Sequence, residues 1–149
     1  MKQYQLLNGS NLAYIGDAYY ELKVREHLIS KGITKSKELR KVSINFVSAS
    51  AHQKIYEEIK DSLTEEENKI FLRGRNNAGF GHRKNVNRAS YAVSTGLEAV
   101  IGYLYLSENK ERLDYIIELI FSKVDGEKWL FVEKTLYLKR LELKEILQK

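Results

Sequence analysis

Residues 14–22, Tyr14-Ile15-Gly16-Asp17-Ala18-Tyr19-Tyr20-Glu21-Leu22, set a carboxylate inside a run that otherwise reads as core. Taking an unpartnered carboxylate out of water costs several kcal/mol, so an acid in such a run is exposed, protonated, ion-paired or bound to a metal. The flanking residues read as a helix. From about Asn11 to Ile29 the apolar side chains Leu12, Ile15, Tyr19, Leu22 and Leu28 recur at helical spacing, Asn8, Ser10 or Asn11 can cap the start, and Lys31-Gly32 ends it.

A second acid stands in a similar setting. Glu98 lies in Ser94-Thr95-Gly96-Leu97-Glu98-Ala99-Val100-Ile101-Gly102, near the start of a strongly apolar helix expected over residues 91–106. If the two helices pack together their acids can converge, and gathered carboxylate oxygens suit a hard cation such as Mg²⁺ or Mn²⁺. Other readings stay open at this point. Thr95 and Glu98 fit a capping box, which would make Glu98 a helix-start residue. Asp17 can face water at the edge of its helix, and Glu21, one turn on, either is solvated or shares a cation with it.

The rest of the chain continues in helices. Thr34 or Ser36 opens a second one carrying Leu39, Val42, Phe46 and Val47 and running on through Ile55 and Ile59. Thr64-Glu65-Glu66-Glu67 is a capping box for a third. Leu113, Ile116, Ile117, Ile120 and Phe121 mark another, and the tail beyond Gly126 is charged and amphipathic, with Trp129, Leu136, Leu143 and Leu147. The 149 residues contain no proline and show no strand alternation, repeat or linker. The expectation is an all-α, single-domain helical bundle of residues 1–126, with residues 127–149 as a helical extension packed on it.

Composition narrows the function classes. The absence of cysteine excludes disulfides and thiolate metal sites and fits a reducing compartment. The amino-terminal MKQYQLLNGSN has too short an apolar run for a signal peptide, and nothing approaches a membrane span, so a soluble cytoplasmic protein is expected. The net charge of +5 is local rather than general. Lys69 to Leu97 holds six Lys or Arg residues and no acid, while the remainder carries 19 basic and 20 acidic residues. Within it, residues 73–90, RGRNNAGFGHRKNVNRAS, read as a basic loop whose glycines allow close approach to a groove. Arg73, Arg75, Asn76, Arg83, Lys84 and Arg88 are the residues expected to grip a polyanion, with nucleic acid the best fit. No HExxH, Walker A, GxSxG or dinucleotide fingerprint is present, and His27, His52 and His82, far apart in sequence, read as core or surface residues.

Residues 12–22, LAYIGDAYYEL, resemble the ribonuclease III signature, and residues 94–106, STGLEAVIGYLYL, resemble that family's second acidic motif. The likeness runs in motif order over roughly residues 8–122. Residues 71–106, with their arginine-rich stretch and following helix, are most similar to the short Mini-III branch, which has the catalytic domain and no double-stranded-RNA-binding domain; the segment after residue 126 is too short for one.

The resemblance implies an all-helical homodimer that uses Mg²⁺, with Mn²⁺ as a possible substitute, to cleave both strands of duplex RNA. For the Mini-III branch it implies maturation of large-subunit (23S) ribosomal RNA precursor, with a ribosomal protein as a conceivable partner. By matching position Asp17 and Glu98 take the catalytic, metal-binding roles. Where the wider family usually carries further acids this chain has Ser10, Ala13 and Thr95, which leaves fewer protein ligands. The rival expectation is a non-catalytic RNA-binding or ribosome-assembly protein on the same fold.

Overall fold

The computed structural model describes residues 4–79 and 87–148, the side chains of 127–138, 140 and 141 excepted. Among the described residues there are six α-helices, two short 3-10 turns and no strand, so the all-α expectation holds. The helices are α1 (Gly9–Ser30), α2 (Ser36–Val47), α3 (Ala49–Ile59), α4 (Glu65–Asn77), α5 (Arg88–Leu106) and α6 (Lys110–Gln148). α5 is the central element and packs against α1, α3, α4 and α6. No described helix is long and apolar enough to cross a membrane.

Each helix start has a local chemical cause. The Asn8 side chain accepts the Asn11 N–H to open α1, and Asn87 accepts the Ala89 N–H to open α5. At α4 the capping box is complete: Thr64 Oγ1 accepts the Glu67 N–H at 3.1 Å, and Glu67 Oε1 accepts the Thr64 N–H at 2.9 Å. The expected continuous second helix is instead two helices. Ser48 takes an extended conformation and its hydroxyl oxygen accepts the Ala51 N–H, so it closes α2 and caps α3. Gly126, with φ 55° and ψ −169°, breaks the helical path within α6. Beyond it Leu143, Ile146 and Leu147 are exposed.

The core gathers Tyr20, Phe46, Phe71, Ile59, Ile101 and Ile116, all essentially out of solvent. Burying each large apolar side chain contributes on the order of 2 kcal/mol. On α1 the buried row is Leu12, Gly16, Tyr20, Val24 and Leu28, one residue every four. Of the apolar residues whose spacing announces this helix, Leu22 is exposed. The real contact face includes a residue with no side chain at all: a Cβ on Gly16 would lie 1.7 Å from the Glu98 carbonyl oxygen, and one on Gly102 would lie 1.9 Å from that of Leu12. α1 and α5 therefore cross backbone to backbone.

Two acids outside the crossing are buried and paired. Glu67 takes two bonds from the Arg112 guanidinium, both at 2.9 Å. Asp125 Oδ2 lies 3.0 Å from both His27 Nε2 and Lys31 Nζ, tying the end of α1 to α6 just before Gly126. Burial alone would raise both carboxyls, but these bonds outweigh it and hold them below their ordinary values.

Candidate active site

The glycine crossing sets the site. Gly16 precedes Asp17, and Gly102 lies one turn after Glu98, so the contact that joins α1 to α5 brings both acids to one cleft of about 710 Å³. Ser10, Ala13, Tyr14, Asp17 and Glu21 form its α1 wall, at the spacing of a single helix face. Tyr91, Ser94, Thr95 and Glu98 form the α5 wall on the same principle. The junction of α2 and α3 at Val47–Ala49 and the residues Ala78 and Gly79 after α4 complete it.

The two acids sit differently from one another. Asp17 is exposed, one of the settings its sequence context leaves open. Its helix turns an apolar face to α5 and leaves this position on the cleft, where it makes no ion pair or hydrogen bond among the described residues. Glu98 is half-buried and lies well inside α5, so the capping-box alternative fails. Thr95 Oγ1 instead donates to the Tyr91 carbonyl at 2.9 Å. Glu21 pairs with Arg25 at 3.3 Å, an exposed contact worth little.

Behind Glu98 the polar groups form a chain. Ser94 Oγ donates to Glu98 Oε1 at 2.8 Å, and His52 Nδ1 lies 2.6 Å from Ser94 Oγ. His52 is 2% exposed. Burial pushes its imidazole down to about 4, so it is neutral near pH 7. Sequence reading treats His52 only as a core or surface residue and passes over Ser94. The one available signal is that Ser94 stands one helical turn before Glu98.

Open carboxylates in a roomy cleft fit Mg²⁺, which takes few protein ligands and keeps several waters. Among the described residues no group of three His, Cys, Asp or Glu is placed to hold a metal alone, so a closed, all-protein metal cage does not fit. Asp17 and Glu98 are the residues that could supply direct ligands.

The expected basic loop is narrower than its composition suggests. Arg73–Asn77 belong to α4 and Arg88–Ser90 to the first turn of α5. Gly74 is not a loop glycine but a packing one, since a Cβ there would come within 2.7 Å of Ala99 Cβ. Asn77 docks α4 on α1, its Oδ1 accepting the Gly9 N–H at 3.0 Å and its carbonyl accepting the Ser10 hydroxyl at 2.8 Å. Arg75, Asn76 and Arg88 are exposed on helical turns next to the cleft residues Gly79 and Tyr91. Arg73 borders a separate cleft with Glu65, Glu66, Glu67 and Tyr103. Arg83 and Lys84 lie outside the described residues.

Residues 10–109 match the Ribonuclease III domain. A Mini-ribonuclease 3 of Enterococcus faecalis is 40% identical over 126 residues, covering 83% of this chain and 96% of that protein. One from Streptococcus pneumoniae is 42% identical over 123 residues, covering 81% and 96%. A crystal structure of a Fusobacterium nucleatum protein superposes with a TM-score of 0.69 at 30% identity, over 78% of this chain and 93% of that one. The chain thus belongs to the ribonuclease III family, on its Mini-ribonuclease 3 branch.

Proposed function

We propose that this RNA endoribonuclease is Mg²⁺-dependent, cleaves both strands of duplex RNA, and acts in the cytoplasm on precursor large-subunit ribosomal RNA. The observation that carries the reading is the convergence of Asp17 and Glu98 on one cleft through a glycine-to-glycine helix crossing, in a chain of this family.

Asp17 and Glu98 would hold the cation, and Mn²⁺ offers the same preference for oxygen. When bound, the ion supplies an activated water for in-line attack and stabilises charge on the leaving oxygen. The protein's part is placement. Asp17, exposed on α1, meets the scissile phosphate from one wall, and Glu98, held from behind by a hydroxyl, faces it from the other. Arg75, Asn76 and Arg88, exposed and close in sequence to the cleft residues Gly79 and Tyr91, together with Arg83 and Lys84, would hold the flanking backbone; Arg73, among acids in its own cleft, contributes less. A-form RNA is read largely by shape, so the substrate is a duplex rather than a sequence.

A homodimer follows from the same reading. Leu22 and Ile29, two turns apart on α1, are 53% and 56% exposed, and an apolar helix face of this kind suits a second copy. Residues 127–149 are then an extension of the catalytic unit rather than a separate RNA-binding domain.

The second reading, a non-catalytic RNA-binding or ribosome-assembly protein, is favoured by neutral Ser10, Ala13 and Thr95 around the two acids. Incubation with duplex RNA, duplex DNA and single-stranded RNA of one length, in Mg²⁺ or chelator, separates the two. Strand shortening of the RNA duplex in Mg²⁺ alone is the expected result on a denaturing gel. Binding of folded protein to duplex RNA with no cleavage in Mg²⁺ or Mn²⁺, on precursor ribosomal RNA as well, would establish the second reading.

A further inference from the structure

We propose that Ser94, itself oriented by His52, is a positioning residue that fixes the Glu98 carboxylate for cation binding. The inference rests on the reading of Glu98 as a cation ligand.

The direction of each hydrogen bond is settled by chemistry. An ionised carboxylate can only accept, so the Ser94 hydroxyl spends its single proton on Glu98 Oε1, at 2.8 Å. The close contact at 2.6 Å between Ser94 Oγ and His52 Nδ1 then needs the imidazole to donate from Nδ1. The ring itself cannot drift: it is buried, and it meets the Tyr20 ring edge-on at 5.3 Å. Tyr20 is anchored in turn, its hydroxyl donating to the Phe46 carbonyl at 2.7 Å. His52 comes from α3, Ser94 and Glu98 from α5, and Tyr20 from α1. One carboxylate orientation is therefore tied to three helices.

Glu98 needs such support more than Asp17 does. Glutamate has one more side-chain torsion to restrain than aspartate, and a ligand that must first be ordered binds a cation less well.

The test uses full-length protein with Ser94→Ala, His52→Leu and His52→Gln. Gln can donate to Ser94 through its amide and Leu cannot. Mn²⁺ binding, followed by the electron-paramagnetic-resonance signal of the free ion, gives a readout independent of cleavage. It is paired with the Mg²⁺ midpoint for single-turnover cleavage of an RNA duplex and with duplex affinity in chelator. Ser94→Ala and His52→Leu are expected to weaken Mn²⁺ binding and raise the Mg²⁺ midpoint about tenfold, within the range for lost outer partners of metal ligands. Duplex affinity in chelator stays within about twofold, and His52→Gln recovers most of the loss, which a purely structural role would not produce. Should Ser94→Ala fail to fold, the His52 pair decides alone. Unchanged Mn²⁺ affinity in His52→Leu, or equal loss in Leu and Gln variants that melt alike, overturns the positioning role while leaving the nuclease reading intact. Wild-type protein that binds no Mn²⁺ and cuts no RNA overturns both.

Discussion

Glu67 and Asp125 are buried acids that face cations; Asp17 and Glu98 border an open cleft, and the partners described for Glu98 are neutral. The first pair spends its charge inside the protein, joining α4 to α6 and α1 to α6. The second lines a cleft that a ligand can enter. Burial by itself does not mark a functional acid in this molecule. What separates the two pairs is whether the carboxylate is enclosed with its partner or lines a cleft open to a ligand.

The largest effect that would sharpen this contrast is on the chemistry. Asp17→Asn and Glu98→Gln should each lower single-turnover cleavage of duplex RNA by about three orders of magnitude, because charge stabilisation worth several kcal/mol is lost and each 1.4 kcal/mol is a factor of ten. Thermal melting of Asp17→Asn should match wild type, since Asp17 holds no described bond. A comparable drop in melting temperature would break the comparison.

Gly16→Ala attacks what the two acids share, the crossing itself. Its Cβ would stand 1.7 Å from a backbone oxygen, so relief requires α1 and α5 to separate. A loss of about 3 kcal/mol, the upper part of the usual overpacking range, is expected in denaturant unfolding, and activity should fall with it.

Asp125→Asn should do the opposite of Asp17→Asn. Removing one partner of a buried ion pair typically costs about 3 kcal/mol, visible as a lower melting temperature, with cleavage per folded molecule unchanged. The pH dependence follows in sign. Asp125 and Glu67 titrate below their ordinary values of 3.8 and 4.5, so their stabilisation is complete above those values and is lost as pH falls through the lower folded ones. Melting temperature should therefore drop below about pH 4 in wild type and more gently in Asp125→Asn.

The smallest effect concerns the basic residues. Arg75→Ala should weaken duplex RNA binding several-fold and reduce the slope of log affinity against log salt by about one, while Arg73→Ala, among three glutamates, should do less. Equal effects would place the RNA across both clefts.

Much of the fold was legible because it rests on local rules. The Thr64 capping box, the helix stop at Lys31-Gly32 and the absence of proline act within a few residues, and each holds. The two acids of the candidate site stand out in the sequence by spacing and resemblance, and of the settings left open for Asp17 the structure shows the exposed one. Hydropathy cannot tell an apolar run that is wrapped on all sides from one that leaves a strip open, and the Asp17 strip is open. The features that escaped depend on contacts between distant segments. Gly74 reads as loop chemistry until Ala99 is found against it, and Ser48 reads as helix interior until its hydroxyl turns to cap α3. His52 and Ser94 are 42 residues apart, so no window of sequence joins them to Glu98.

The most direct test is one single-turnover assay on a long RNA duplex in Mg²⁺, run with Asp17→Asn and Asp125→Asn at equal concentrations of folded protein. The account predicts that Asp17→Asn leaves the duplex essentially whole while Asp125→Asn cuts it at the wild-type rate. Cleavage by Asp17→Asn at the wild-type rate would contradict it.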